Sequence, residues 1–374
     1  MTNATSLLAS AAAASCWREI SLSAIVHNYR AVRSAVGPAV KIFACLKNDA
    51  YGCGAAEVAA VLAAEGVDGF GVASARDAYR VRSRAPRTPI LLYPGISPQW
   101  ASDVAELDLT ITLSSASELE AWAATSERLS AFVKVDLGFW RAGALPAEVE
   151  GLLDRAAATP NIDIKGLYAH LNELPGTGPT AREQWSRLKD LLATITRRPA
   201  IVMLSSSDGV LRHPEMDLDA VDPGAMLFGI ADTARAVRPL TLRPALHAIK
   251  ARLVSVKRAD ASIGPAPDLP GYSPDMRMGV LGIGWGHGLP RDLPFGASAI
   301  IRGTRVPLLA PLHLEHVRVN LSRVPDAAFG DEAVLLGSAG GEHIDLAELA
   351  MHWRTDSVGI CCGLQPDLAR VYAP

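Results

Sequence analysis

The first two thirds of the chain alternate between apolar, strand-like runs and helical stretches that are rich in alanine and leucine. Seven runs are predicted strands, at residues 42–46, 70–73, 90–93, 109–113, 131–135, 164–168 and 201–204. Helical patterns lie between most of them, for example at residues 116–123, 145–158 and 182–195. Because this order is typical of parallel strands joined by helices, the sequence predicts an α/β fold with a parallel (β/α)8 barrel.

The composition of the sequence changes after about residue 240, where valine, proline and glycine become frequent. Helical periodicity returns only at residues 346–351, and the proline- and glycine-rich residues 262–274 form a predicted loop. The strand-like runs of this part are residues 246–256, 277–283, 297–301 and 316–321. The predicted domains are a disordered arm at residues 1–16, a barrel domain at 17–240 and a mainly β C-terminal domain at 241–374.

The charged residues nearly balance, with 36 lysines and arginines against 39 aspartates and glutamates. No basic block stands out, so the sequence predicts neither a nucleic-acid partner nor binding to an anionic membrane. The apolar runs are short and are interrupted by charges, which argues against a transmembrane helix. The five cysteines fit neither a disulfide framework nor a zinc spacing, and we predict a reduced, cytoplasmic protein without a metal site.

A lysine ends the first predicted strand of the barrel, within Ile42-Phe-Ala-Cys-Leu-Lys47-Asn-Asp-Ala-Tyr51-Gly-Cys-Gly54. Barrel enzymes carry their chemistry at the carboxyl ends of the strands, where Lys47 lies. Its stem leaves an apolar strand, so its pKa can fall as an imine-forming amine requires. From the stretch alone, a surface lysine at a strand end is the favoured interpretation.

The stretch from Lys47 to Gly54 resembles the lysine motif of the alanine racemase family, in which lysine carries pyridoxal phosphate. Asn48 and Cys53 stand where that motif has alanine and histidine. The resemblance runs from about Trp17 to Tyr372. It implies pyridoxal phosphate as the cofactor on Lys47, a small α-amino acid as substrate, and a head-to-tail homodimer whose active sites are shared between the subunits.

Two further motifs end predicted strands. The segment Lys134-Val-Asp-Leu-Gly-Phe-Trp-Arg141 resembles the family motif in which arginine holds the substrate carboxylate, supported by a carbamylated lysine. Arginine suits that role because its planar fork grips a carboxylate through two hydrogen bonds. By the same resemblance, His170 lies beside the cofactor ring, although a lone histidine at a strand end is more often structural.

The resemblance also implies a site for the cofactor phosphate. Ser207 matches the phosphate-binding serine, and Ser206 stands where the family has asparagine. The backbone N–H groups of Gly224 and Ala225 and the phenol of Tyr51 are the other implied donors. Hydroxyl and N–H groups at a turn before a helix suit a phosphate.

Two positions depart from the family pattern. Asp222 stands where the family has an arginine that faces the pyridine nitrogen, and an aspartate there favours the protonated ring. Trp285 stands where the family has the tyrosine that serves as second acid/base, and an indole only donates a hydrogen bond. His313 and Leu314 lie where the family has a Cys/Ser-Met-Asp segment beside the substrate.

Three classes of function remain open. We favour a lyase or transferase that works through a Cα carbanion, such as one that cleaves a β-hydroxy amino acid by a retro-aldol reaction with His170 as base. Transamination belongs to this class, as does decarboxylation, which is less favoured because Arg141 would hold the carboxylate. The second class is a racemase with His170, His287 or a histidine of residues 313–316 as its new base. The third is a non-catalytic cofactor-binding protein.

Overall fold

The structure, a computed structural model, describes residues 14–172, 178–264, 269, 272–294, 296–366 and 368–373. Most of the predicted disordered arm and part of the predicted loop at residues 262–274 therefore lie outside the described residues. The chain divides into two compact units. One is Ala24–Arg243, and the other combines the segment that ends at Ser23 with the segment that begins at Pro244.

The unit Ala24–Arg243 is a closed barrel of eight parallel strands. The strands are β2 Lys41–Cys45, β3 Gly69–Val72, β4 Ile90–Leu92, β5 Leu109–Leu113, β6 Leu129–Lys134, β7 Ile162–Tyr168, β8 Ile201–Met203 and β9 Ala220–Val221. β9 closes the barrel by pairing with β2. The predicted parallel barrel is thus confirmed, and its last strand escaped prediction because a strand of two residues leaves no apolar run.

One helix precedes the first barrel strand and the others lie between barrel strands, and several begin at capping residues. The helices are α1 Leu22–Val36, α2 Ala55–Ala64, α3 Ala75–Arg84, α4 Ala101–Glu106, α5 Ala116–Ala123, α6 Pro146–Ala157, α7 Ala181–Thr194 and α8 Ser207–Arg212. The hydroxyls of Ser74 and Ser115 accept first-turn N–H groups of α3 and α5. Thr180 and Glu183 form a capping box at α7. Such caps satisfy backbone donors that have no partner within the helix.

Two phenylalanines fill the barrel interior. The rings of Phe43 on β2 and Phe132 on β6 meet edge to face, with centroids 6.0 Å apart. Glycines on neighbouring strands leave room for both rings. A Cβ on Gly69 would lie 2.5 Å from the Phe43 ring, and one on Gly166 would lie 2.1 Å from the Phe132 ring. The interior is therefore a packed core, as is usual in barrels of this type.

The second unit is built on a nine-stranded sheet. Its strands are β1 Cys16–Ser21, β10 Leu246–Arg258, β11 Arg277–Leu281, β12 Ser298–Ile301, β13 Thr304–Leu309, β14 Val317–Asn320, β15 Glu332–Ala339, β16 Glu342–Ile344 and β17 Ala369–Ala373. Their order in the sheet is β16-β15-β12-β13-β14-β11-β10-β1-β17. Two helices, α9 Leu346–Trp353 and α10 Ser357–Gly363, lie between β16 and β17 in the chain. The expected mainly β C-terminal part is confirmed.

The first strand of the chain belongs to this second sheet. β1 pairs with β10 on one side, where Trp17 faces Lys250, and with β17 on the other, where Trp17 faces Ala369. The sequence placed residues from 17 onward in the barrel domain. Backbone hydrogen bonds on both edges of β1 instead fix residues 16–21 between two strands from the far end of the chain.

We expect Gly166→Ala to lower the free energy of unfolding by about 1–3 kcal/mol, because the added methyl would overlap the Phe132 ring in a filled core. Urea denaturation measures the difference. The matched control is Gly151→Ala on α6, where an added Cβ meets nothing within 4 Å. That substitution should leave stability unchanged or raise it by up to about 1 kcal/mol. Equal stabilities for both variants would contradict the packing argument.

Candidate active site

A cavity of about 400 Å³ opens at the carboxyl ends of the barrel strands. Its walls bring together ten residues that the sequence singled out, which are Lys47, Tyr51, Lys134, Arg141, His170, Ser206, Ser207, Asp222, Gly224 and Ala225. They follow five different strands, so only the closed barrel places them side by side. This is where barrel proteins generally build their sites.

A tight turn presents Lys47 directly after β2. Residues 48–51 all have φ between 54° and 55°, a left-handed conformation that costs roughly 1–2 kcal/mol per residue for side chains other than glycine. Asp49 holds the turn, because its carboxylate accepts the N–H of Ala55 at 2.9 Å and pairs with Arg80 at 2.8 Å. The surrounding structure thus keeps Lys47 and Tyr51 on the cavity wall in spite of the strained backbone.

Donor groups converge on one wall of the cavity. A Cβ on Gly224 would lie 2.4 Å from the Tyr51 hydroxyl oxygen, so the phenol reaches the backbone only because residue 224 is glycine. Ser207 lies beside them, and its Oγ accepts the N–H groups of Gly224 at 3.0 Å and Met226 at 3.2 Å. This wall combines hydroxyl and peptide N–H groups, which are the usual donors to an anion.

Asp222 is a buried carboxylate that lines the same cavity. Its Oδ2 accepts a hydrogen bond from the Tyr93 hydroxyl at 3.0 Å, and its Oδ1 has no hydrogen-bond partner among the described residues. Burial raises the pKa of Asp222 to about 7, although the Tyr93 hydrogen bond and the charges of Lys47 and Lys134 act in the other direction. The site therefore holds a carboxyl group that changes charge near neutral pH.

Sequence reasoning missed Tyr93, which it treated only as the last residue of a predicted strand. The side chain lies just after β4 and lines the cavity. The available signal was a hydroxyl at the carboxyl end of an apolar barrel strand, because barrel proteins build their sites at those strand ends. Its contact with Asp222 joins β4 to β9 across the barrel mouth and was not readable from sequence spacing.

Three cations share the cavity with a histidine. Burial, followed by the charge of Arg141, lowers the pKa of Lys134 to about 8. Burial, followed by the charges of Arg141 and Lys47, lowers the pKa of His170 to about 3. His170 is therefore a neutral imidazole at physiological pH, and Lys134 carries a substantial fraction of neutral amine.

Asp136 shapes the loop that carries Arg141. One oxygen of its carboxylate accepts the N–H groups of Gly138, Phe139 and Trp140 at 2.8, 2.8 and 3.1 Å. The other oxygen accepts the N–H of Arg141 at 2.9 Å. The Arg141 guanidinium lies 4.3 Å from the centroid of the Phe139 ring. A single carboxylate thus orders four consecutive peptides and places the arginine on the cavity wall.

The remaining predicted residues lie together in the second unit. Trp285 begins a short 3₁₀ turn whose N–H groups donate to the carbonyls of His313 at 3.1 Å and Leu314 at 2.8 Å. Within the turn, the Nδ1 atom of His287 accepts the N–H of Gly284 at 3.1 Å. The indole of Trp285 is 36% exposed. The predicted site residues therefore form two groups, one in each unit.

Metal and membrane features are absent from the part of the chain that the structure describes. In that part, no group of three or more His, Cys, Asp or Glu side chains is placed to hold a metal ion. None of the described helices combines the length and apolar character needed to cross a bilayer. The cysteines form no disulfide, and four of the five are buried.

The fold and the cavity define a β/α barrel protein with a lysine after its first barrel strand and a second, mainly β unit. Residues 20–232 match the family model described as "Alanine racemase, N-terminal domain", and residues 248–372 match "Alanine racemase, C-terminal domain". The chain belongs to the alanine racemase family. The resemblance inferred from the lysine motif is thereby confirmed, whereas the role of each site residue stays a prediction.

Curated relatives and solved structures agree with this assignment. The chain is 32% identical over 369 residues to the alanine racemase of Symbiobacterium thermophilum, covering 95% of this chain and 96% of that protein. It is 30% identical over 365 residues to that of Desulfovibrio desulfuricans, covering 95% and 97%. The biosynthetic alanine racemase of Pseudomonas aeruginosa is similar in structure, with a TM-score of 0.80, 26% identity and coverage of 96% and 99%.

We expect the contribution of Asp222 to the stability of the ligand-free protein to fall as the pH rises from about 4 to about 7, which the difference between the wild type and Asp222→Asn isolates from the opposite contribution of the buried, neutral His170. The native state binds the proton of Asp222 more tightly than the unfolded chain does, because its pKa rises to about 7 on folding. Asp222→Asn cannot ionise and should lack this fall. It should be more stable than the wild type by roughly 2–4 kcal/mol at pH 8, with the gap closing toward pH 4.

Urea denaturation across this pH range measures both proteins. Asp190→Asn, on the exposed face of α7, is the control for the loss of one negative charge. It should follow the wild-type curve. Parallel curves for the wild type and Asp222→Asn would show that the buried carboxyl does not titrate in this window.

Proposed function

We propose that the chain is a pyridoxal-phosphate-dependent amino-acid racemase. The observation that carries the proposal is the cavity itself, in which Lys47 and the unpartnered Oδ1 of Asp222 share one space at the barrel mouth. Lysine is the residue type that attaches this cofactor. When bound, pyridoxal phosphate supplies an electron sink that makes the Cα proton of an amino acid acidic.

The donors on the cavity wall support the choice of cofactor. The hydroxyls of Tyr51, Ser206 and Ser207 form a set that suits a phosphate, and the Gly224 N–H, which donates to Ser207 Oγ in this structure, lies beside them. In the same cavity, Oδ1 of Asp222 is a buried acceptor for which the described residues offer no donor. A protonated ring nitrogen is a donor of the right charge for it. The residues present therefore fit both polar ends of the cofactor.

Arg141 is the proposed partner of the substrate carboxylate. Its position depends on the Asp136 turn, and its planar fork suits two parallel hydrogen bonds to a carboxylate. Lys134 lies on the same wall and has a pKa of about 8. Because only a neutral amine reacts with carbon dioxide, this lowered pKa supports the carbamylated form that the family resemblance implies.

Lys47 is the proposed acid/base on one face of Cα. His170 is a poor candidate for the other face, because with a pKa of about 3 it is a weak base at neutral pH. The same argument weakens the retro-aldol reaction that the sequence favoured, since that reaction used His170 to take a β-hydroxyl proton. His170 then contributes to the cavity as a neutral side chain beside the ring.

His287 is the proposed acid/base for the second face. Its Nδ1 accepts the N–H of Gly284, so the neutral ring carries its proton on Nε2, from which it can be donated. Trp285 stands at the family's tyrosine position, and its indole only donates a hydrogen bond and cannot act as an acid or base at neutral pH. In the homodimer that we propose from the family resemblance, the loop with His287 from one copy serves the cavity of the other.

A second candidate is a lyase that cleaves or decarboxylates the amino acid at Cα. The observation that favours it is Asp222, because a carboxylate facing the ring nitrogen would deepen the electron sink beyond what proton exchange requires. The two curated relatives named above are alanine racemases, which is why racemisation is placed first. Products distinguish the two candidates directly.

We expect borohydride reduction of the yellow holoprotein to fix the cofactor covalently on Lys47. Peptide mass spectrometry after proteolysis locates the modified residue. Lys47→Ala should lose the label, because its side chain has no amine. Lys134→Ala removes the other lysine of the cavity and should retain the label on Lys47. A label on residue 134 of the Lys47→Ala protein would show that the lysine assignment is wrong.

We expect the holoprotein to interconvert the enantiomers of at least one small amino acid in deuterated water, with deuterium at Cα in both. Chiral chromatography with mass detection measures this across a panel of L- and D-amino acids. His287→Ala should lower the rate on the order of 10²–10⁴-fold, the usual effect of removing such a base. His343→Ala is the control, since that exposed histidine lies on β16 and pairs with Ser338 of β15.

The same panel tests the second candidate. Release of an aldehyde or of carbon dioxide without interconversion would replace the racemase proposal by lyase chemistry. Trp285→Tyr, which restores the residue of the family pattern, should raise Cα exchange if the second face lacks a good acid in the wild type.

A further inference from the structure

Tyr93 has no counterpart among the roles derived from the family resemblance. Its hydroxyl donates to Oδ2 of Asp222 at 3.0 Å. We propose that Tyr93 is a positioning residue that favours the ionised form of the Asp222 carboxylate and, by holding Oδ2, leaves Oδ1 for the ring nitrogen of the cofactor. This inference rests on the proposed function, because it deepens the role given there to Asp222.

The backbone leaves the Tyr93 hydroxyl little freedom to point elsewhere. The N–H of Tyr93 donates to the carbonyl of Val72 at 2.8 Å, which fixes the residue between β3 and β4. A Cβ on Gly71 would lie 2.4 Å from the hydroxyl oxygen, so the phenol occupies space that only glycine leaves open. Two neighbouring strands are thus shaped around this hydroxyl.

The neighbours of the pair make Tyr93 the donor. Burial and the nearby Asp222 raise the pKa of Tyr93 well above its usual range, so the phenol keeps its proton. Burial likewise raises the pKa of the Cys45 thiol on the same wall. Tyr168, whose ring centroid is 6.1 Å from that of Tyr93, shares its hydroxyl with Thr112 at 3.0 Å and so has another partner.

The hydrogen bond from Tyr93 affects where the proton shared by Asp222 and the cofactor ring would lie. A hydrogen bond to a carboxylate favours the ionised form, so the Tyr93 bond makes Asp222 a weaker base. In the loaded site, a weaker base leaves the shared proton on the ring nitrogen. Without the bond, Asp222 would have two unsatisfied buried oxygens and would take that proton itself.

The experiment is ¹⁵N NMR of the holoprotein loaded with pyridoxal phosphate that carries ¹⁵N in its ring. The wild type should show the shift of a protonated nitrogen. In Tyr93→Phe the proton distribution should move toward the carboxyl by about ten- to a hundredfold, the usual effect of one hydrogen bond to a charged group. Tyr168→Phe removes a buried hydroxyl of the same cavity whose hydrogen-bond partner is Thr112, and its nitrogen shift should equal that of the wild type.

The possible results distinguish a failure of the role proposed for Tyr93 from a failure of the proposed function. A wild type that binds no cofactor, or binds it with an unprotonated nitrogen, overturns the role given to Asp222 in the proposed function. A protonated nitrogen in both the wild type and Tyr93→Phe overturns this inference alone and leaves the proposed function standing.

A second measurement covers the case in which Tyr93→Phe does not fold. Incorporation of 3-fluorotyrosine at position 93 retains the hydroxyl and makes it a stronger donor. Infrared difference spectra of the ligand-free protein against Asp222→Asn then report the protonated carboxyl band of Asp222. Its titration midpoint should fall below that of the wild type, and an unchanged or higher midpoint overturns the inference.

Discussion

The burial of Asp222 is the constraint on which the cavity depends. Removing a carboxylate from water is unfavourable, and one hydrogen bond from Tyr93 with two nearby lysines offsets only part of the effect. The remaining oxygen, without a donor among the described residues, represents a cost of about 1–3 kcal/mol in the ligand-free state. A cationic hydrogen-bond donor bound in the cavity would remove that cost. The cavity therefore suits a ligand that carries such a donor.

The barrel supplies the rigidity that such an arrangement needs. Its interior is filled by aromatic rings that glycines on adjacent strands accommodate, and the functional side chains begin where the strands end. Two segments, one with a strained backbone and one held by hydrogen bonds, then place cationic side chains on the cavity wall. The left-handed turn at residues 48–51 presents Lys47, and the peptides bound by Asp136 present Arg141. The unfavourable local conformations persist because the scaffold over-determines them.

The sequence predicted the barrel because seven of its strands are continuous apolar runs, which is what burial on both faces requires. It missed β9, whose two residues leave no pattern, and it assigned β1 to the wrong unit because sheet pairing between distant segments has no local signature. Motifs at strand ends identified Lys47 and Arg141.

Two features of the candidate site were beyond sequence reasoning. Tyr93 was missed because its partner, Asp222, directly follows β9, which lies three strands from β4 around the barrel. The neutral state of His170 also arises only in three dimensions, from burial among cations that lie far apart in the chain.

The two departures from the family pattern act on the same step under the proposed function. With Trp285 in place of tyrosine, the second face of Cα would depend on a different acid, for which we propose His287. With Asp222 in place of arginine, the site would favour a protonated ring nitrogen, and the bound cofactor would supply a stronger electron sink. A stronger sink would make the reaction less dependent on a fast proton donor. We therefore infer that the aspartate would compensate in part for the missing tyrosine, so that the two changes suit racemisation better together than either would alone.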